Sequence, residues 1–208
     1  MKPIIVSFEN KKVVIFGGGK VGRRKAKFFE DEARVLVISK DFVEGFEELD
    51  VDLIEKEIGV DEIDGYIADA FLVVTATDNV ELNKEIADRA KRRDVLVNRV
   101  GEERGDVILP STIQNNFLIA ISTLGKSPGF CKFLRKDLEQ YLGKEFDLMV
   151  RLQSEIREKL KETIDSQDKR REILWKILED EEIWDLLGKN FYDKAVNRSE
   201  KIIGEEDG

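Results

Sequence analysis

The run VVIFGGGKVGRRKA, Val13 to Ala26, constrains the fold more than any other stretch of the chain. Four apolar residues, three of them β-branched, stop at three glycines, and a segment compatible with a helix follows. Gly17, Gly19 and Gly22 give the spacing G-x-G-x-x-G. Between a strand and a helix, that spacing serves a dinucleotide. One glycine makes the tight turn, one lets the backbone approach a pyrophosphate, and one lets helix and strand pack closely. The helix N-terminus then meets the phosphates with free amides and its dipole. Lys20, Arg23, Arg24 and Lys25 add positive charge there.

The flanking pattern agrees with such a turn. Residues 12–16, 33–39, 51–58 and 95–100 read as strands, as does FLVVTA (71–76). Helices are predicted over 20–31 and over 80–94, where Leu82, Ile86 and Ala90 form one stripe. Strands alternating with helices imply parallel βαβ units with right-handed crossovers. After Pro110 the pattern changes to a strand (117–123), a turn (124–129) and a helix (130–142). That helix has Phe130, Phe133, Leu134, Leu138 and Tyr141 as its apolar face, and Cys131 near its polar edge in a packing role. Beyond 143 the chain reads as helices, with Trp175 and Trp184 as core residues and the terminal GEEDG disordered. The expected fold is α/β: a Rossmann-type parallel sheet (1–112), a small α+β unit (113–148) and a helical domain (149–208). One strand and one helix cannot bury a core alone, so the middle unit needs a partner, which a second subunit can supply.

In such folds the second strand usually ends in an acid that holds the ribose 2′-hydroxyl. Here it ends Ile38-Ser39-Lys40-Asp41. Ser39 or Asp41 suits a ribose hydroxyl, whereas Lys40 suits a 2′-phosphate, so the choice between NAD and NADP stays open.

Composition excludes several classes. The chain has no histidine and one cysteine, so a Cys/His zinc site is impossible within it and no metal site is expected. Acid–base work falls to carboxylates, lysine, tyrosine or water. The net charge of −9 argues against general nucleic-acid binding. No apolar run reaches the ~20 residues of a membrane span, and no secretory h-region is visible. A cytoplasmic protein is expected.

Two later stretches are more specific: VVTATDNVELNKEIADRAKRRDVLVNRVG (73–101) and VILPSTIQNNFLIAISTLGKSPGFCKFLRKDLEQYL (107–142). With the glycine motif they resemble the siroheme synthase family, whose members are precorrin-2 dehydrogenases and often also sirohydrochlorin ferrochelatases (a lyase activity). The resemblance covers roughly residues 1–145 and implies NAD-dependent oxidation of precorrin-2 to sirohydrochlorin, with Fe2+ as a further substrate where iron is inserted. It also implies a homodimer held by the middle unit. Larger members of the family carry a fused methyltransferase, and none is expected here. The family's cofactor contacts fall on Gly17, Gly19, Lys20, Val21, Gly22, Lys40, Asp41, Thr77 and Asp78. A serine that is phosphorylated in some members falls on Thr123. The substrate is expected near Asn98 and the 122–128 turn.

The family's proposed catalytic aspartate, three positions after the asparagine that matches Asn98, is Gly101 here. Glu102 and Asp106 are the candidates to replace it. A substrate with eight carboxylates needs cations in an otherwise acidic protein. Residues 113–150 carry 5 basic and 4 acidic residues, whereas 1–112 carries 18 and 24. Arg99, Arg104, Lys126, Lys132 and Arg135 are the candidate cations, with Lys126 foremost, beside Thr123 and Ser127. The alternatives are a chelatase without dehydrogenase activity, a non-catalytic tetrapyrrole carrier, and an NAD-sensing regulatory module.

Overall fold

The computed structural model describes residues 1–99 and 105–207 and divides into two compact units, Met1–Leu109 and Pro110–Gly208. In the first, five parallel strands form one sheet in the order β3-β2-β1-β4-β5. They are β1 (Lys12–Phe16), β2 (Arg34–Ser39), β3 (Asp52–Glu55), β4 (Leu72–Thr75) and β5 (Leu96–Arg99). The strand order reverses between β1 and β4, which opens a crevice at their carboxyl ends.

The central strands β1 and β4, and β2 from Val35 to Ile38, are apolar runs because both faces of the sheet are covered there, whereas the edge strand β3 is largely exposed. On one face Val14, Phe16, Val73 and Val97 pack with Ile63 and Ile67 of α2 (Ile63–Ile67) and with Ile86, Ala87 and Ala90 of α3 (Val80–Arg92). On the other, Val13, Ile15, Val37 and Val74 pack against Ala26 and Phe29 of α1 (Lys20–Phe29). Register places Asn98 beside Val74, which stands beside Ile15, on this second face. A polar residue therefore occupies a position where the pattern demands an apolar one. α2 has five residues with Gly65 inside, too short and too interrupted to register as a helical period.

The second unit holds an antiparallel hairpin, β6 (Ser111–Gln114) with β7 (Leu118–Ile121), where the sequence predicts one strand. Four residues, STIQ, with no flanking glycine give β6 no legible period. α4 (Pro128–Tyr141) starts at Ser127, whose Oγ accepts the Phe130 amide at 3.3 Å. α5 (Lys144–Thr163), α6 (Gln167–Glu179), α7 (Glu181–Gly188) and α8 (Tyr192–Asp207) share a core around Leu152, Ile156, Ile173, Ile183 and Ile202.

Three expectations are corrected here. The charged terminus is helical through Asp207, because Ala195 and Ile202 bury one face of α8. Trp175 is 60% exposed with its indole donating to Glu179, while Trp184 does pack on the helical core. On α4 Cys131 is the buried residue, whereas Phe130, Phe133 and Tyr141 are exposed.

Candidate functional site

β1 ends at Phe16, whose carbonyl accepts the Ala76 amide at 2.8 Å, so β4 seals one side of the turn that follows. Gly17 has φ +119° and donates to the Ile38 carbonyl at 2.9 Å. A Cβ on Gly17 would lie 2.3 Å from the Ala76 carbonyl oxygen, and one on Gly22 would lie 1.9 Å from the Gly17 oxygen. The first glycine makes the turn and the third presses α1 onto it, as the motif predicts. Gly18 is also constrained, with a notional Cβ 2.2 Å from the Asp41 carbonyl oxygen and its own oxygen accepting the Val43 amide. Of Gly17, Gly18, Gly19 and Gly22, only Gly19 faces open space, with nothing within 4 Å of a notional Cβ. It is the N-cap of α1, so the unpaired first-turn amides of that helix open beside it.

The cleft there measures about 1170 Å³ and runs over the carboxyl ends of β3, β2, β1 and β4. It is lined by Gly17, Gly19, Lys20, Val21, Ser39, Lys40, Asp41, Thr77 and Asp78, while Gly22 lies beneath the turn as packing. Lys40 and Asp78 approach to 3.9 Å, both exposed. A cradle of exposed amides at a helix N-terminus, with one side chain-free approach at Gly19, fits a pyrophosphate. Arg23 and Lys25 point elsewhere: Arg23 pairs with Glu48 at 3.2 Å and Lys25 with Asn98.

Asn83 is a site residue that the sequence did not single out. It is buried on α3, and its Oδ1 accepts both the Thr77 amide at 3.1 Å and the Thr77 hydroxyl at 2.7 Å. Its Nδ2 donates to the Thr77 carbonyl at 2.9 Å. Thr77 is thus clamped at the rim of the cleft. A legible signal existed in the polar Asn83 lying one turn before Ala87 on the inward side of α3.

At the end of β5, Asn98 is 3% exposed. Its Oδ1 accepts from Lys25 Nζ at 2.8 Å and its Nδ2 donates to the Val107 carbonyl at 2.7 Å. Burial, then the nearby Arg24 charge, hold the Lys25 amine down to about 8. Asp106 is exposed and accepts the Val97 amide through Oδ2 at 3.2 Å, and Val107 returns its amide to the Val97 carbonyl. Arg99 is the last residue of β5, in register with Thr75. Glu102, with its neighbours Gly101, Glu103 and Arg104, lies outside the described residues.

In the second unit Thr123, Lys126 and Ser127 share one turn. Thr123 Oγ1 accepts the Ser127 amide at 2.8 Å, and its carbonyl accepts the Lys126 amide at 3.1 Å. Leu124 and Gly125 both have positive φ, and Lys126 projects into solvent.

Residues 4–111 match the family model described as "Putative NAD(P)-binding". A precorrin-2 dehydrogenase of Methanosarcina barkeri is 41% identical over 209 residues, covering 97% of this chain and 92% of that protein. A siroheme synthase of Tolumonas auensis is 30% identical over 196 residues, covering 93% of this chain and 42% of that longer protein. Among solved structures, SirC, precorrin-2 dehydrogenase, has the same fold with a TM-score of 0.76, over 97% of this chain and all of that one, at 23% identity. Among the described residues, no helix is long and apolar enough to cross a membrane.

Proposed function

Because the chain belongs to the family of precorrin-2 dehydrogenases and siroheme synthases, we propose that it oxidises precorrin-2 to sirohydrochlorin with NAD+, a step of siroheme biosynthesis. The observation that carries this reading is the glycine cradle at the strand-order reversal, set within a chain alike over nearly its full length to a precorrin-2 dehydrogenase. When bound, NAD+ accepts the hydride. The chain's own work is placement. Gly19 and the first-turn amides of α1 meet the pyrophosphate, Ser39, Lys40 and Asp41 meet the adenosine ribose, and Thr77 and Asp78 border the cleft on the β4 side.

The second hydrogen leaves the tetrapyrrole as a proton and needs an acceptor. Glu102 and Asp106 are our candidates. Asp106 has one oxygen on the Val97 amide and stands exposed, four positions after Glu102 in the sequence. Asn98, Arg99, Thr123, Lys126 and Ser127 are proposed as substrate-side residues, the cations meeting carboxylates.

We also read the protein as a homodimer in the cytoplasm. Two strands and one helix leave Phe130 and Phe133 52% and 65% exposed, with ring centroids 6.5 Å apart, and a second copy of α4 suits that surface. The single cysteine, Cys131, fits a reducing compartment.

The test is an anaerobic absorbance assay on the purified protein with precorrin-2 and NAD+, with NADP+ in parallel. Sirohydrochlorin appears with NAD+, and Fe2+ added afterwards reads iron insertion as a second activity. Glu102→Gln and Asp106→Asn identify the acceptor as the one whose loss lowers kcat by about 10²–10⁴. Absence of oxidation with either dinucleotide overturns the reading.

A further inference from the structure

Several cations that the first unit partly buries are paired with acids, and Lys11 lies over the Phe71 ring. Lys12 meets Asp69 at 2.5 Å, Arg89 meets Asp64 and Glu85, and Arg23 meets Glu48. Among the described residues Lys25 has neither kind of partner. Its amine is part-buried, its hydrogen-bond partner is the neutral Asn98, and the charge that acts on it is Arg24, of like sign. Among the described residues no carboxylate pairs with it. A desolvated ammonium that no carboxylate among the described residues meets is costly to hold. The arrangement makes sense if the counter-ion arrives with a ligand.

The placement fits one ligand in particular. A dinucleotide along the cleft spans β3 and β2 at its adenosine end, and β1 with its glycine turn at the pyrophosphate. Its nicotinamide end therefore lies toward β4 and β5. Asn98 sits on β5, one register position before the Thr75–Arg99 pair that ends both strands. Side chains on a helix lean toward its N-terminus, so Lys25 on α1 reaches up toward this same carboxyl edge of the sheet. One of its three N–H donors is spent on Asn98. The Asn98 amide cannot turn away, because its other end is held by the Val107 carbonyl.

We propose that Lys25 is a substrate-binding residue, a cation held by Asn98 to receive one carboxylate of the tetrapyrrole. This rests on the dehydrogenase reading above. The contact forms where water is partly excluded, which strengthens it relative to the exposed Lys126. It also gives the acidic first unit a local attraction for a polyanion.

The experiment uses the full chain and the variants Lys25→Met, Lys25→Arg and Asn98→Asp. Steady-state oxidation of precorrin-2 gives KM and kcat, and absorbance titration with sirohydrochlorin, which keeps the same carboxylates, gives Kd without turnover. NAD+ affinity is measured alongside. Lys25→Met is expected to raise KM and the sirohydrochlorin Kd about 10-fold or more, the scale of a hydrogen bond to a charged group, with kcat within about 3-fold and NAD+ affinity unchanged. Lys25→Arg recovers most of the affinity. Asn98→Asp, which supplies Lys25 with an internal counter-ion, weakens sirohydrochlorin binding while both side chains remain, and it answers the question if Lys25→Met does not fold. An unchanged sirohydrochlorin Kd in Lys25→Met and Asn98→Asp overturns the inference. So does a fall in kcat alone, which would make Lys25 a proton acceptor. If the unmodified chain neither oxidises precorrin-2 nor binds sirohydrochlorin, the dehydrogenase reading fails along with it.

Discussion

The glycines of the β1–α1 turn separate folding from binding, and alanine at each exposes the difference. At Gly22 the added Cβ would lie 1.9 Å from the Gly17 oxygen, about 1.5 Å inside an ordinary contact. α1 cannot lift freely, because Ala26 and Phe29 are buried against the same sheet face. Overpacking of this kind costs about 1–3 kcal/mol. In a unit of roughly this size that lowers Tm by about 4–8 °C per kcal/mol. At Gly19 nothing lies within 4 Å of the new methyl, and φ is −77°, which alanine adopts readily. The chain loses a modest N-cap preference of about 0.5–1 kcal/mol and regains about as much from a stiffer unfolded state. Melting should therefore stay within about 3 °C of the parent. The methyl instead stands where the pyrophosphate must approach, and a loss of 10- to 100-fold in NAD+ affinity, about 1.4–2.7 kcal/mol, is expected. Calorimetric titration with NAD+ and thermal melts followed by circular dichroism measure both quantities. Gly19→Ala binding NAD+ as tightly as the parent, or Gly22→Ala melting with it, refutes the assignment of packing to one glycine and approach to the other.

Asn83→Ala removes three hydrogen bonds to Thr77, so the KM for NAD+ should rise several-fold more than that for precorrin-2; an equal rise in both would deny Asn83 a positioning role. Phe133→Glu puts a charge on the exposed face of α4, and light scattering should then read one chain where the parent reads two; two chains in both would place the dimer contact elsewhere. Burial holds the Lys25 amine at about 8, below its ordinary 10.5. Between those values the unfolded chain binds more protons, so this group's contribution to stability rises with pH from about 8 to about 10.5. Urea unfolding at pH 7 and pH 10 should show Lys25→Met losing ground to the parent as pH rises, and a pH-independent gap would mean that the amine is not desolvated.

The sheet was legible because parallel strands covered on both faces are apolar throughout, and KVVIF and LVVT carry that signal without ambiguity. The glycine turn was legible because its spacing reflects contacts only glycine permits. The hairpin strand Ser111–Gln114 was not, because four mixed residues pair through backbone bonds to a strand that the sequence does not mark as their partner. α4 misled for a related reason. Its apolar residues define a face, but periodicity cannot say whether that face meets the same chain or another, and within this chain Cys131 points inward instead. Lys25 looked like a phosphate ligand because it follows the glycines closely. Its direction is set by Asn98, 73 residues away, and only the register of β4 with β5 brings the two together.

That register also shows where the core stops being a core. Among the described residues of the first unit, the buried polar side chains are Thr75, Asn83 and Asn98. Thr75 ends β4, Asn83 reaches Thr77 two residues later, and Asn98 stands one position before the end of β5. Deeper in the same strands the equivalent places are held by Val73, Val74 and Val97. A buried polar group left without a partner costs about 1–3 kcal/mol, and the Thr75 hydroxyl has none. A sheet shaped by stability alone would carry valine at 75 and 98 as well. Three polar residues gathered at the carboxyl ends of two adjacent strands, beside the glycine cradle, are what remains when that preference is overruled at one edge. Under the proposed dehydrogenase function the tetrapyrrole and the nicotinamide end of NAD+ are the two ligands that need this edge, and Lys25, drawn to it by Asn98, is the charge we propose for the first of them.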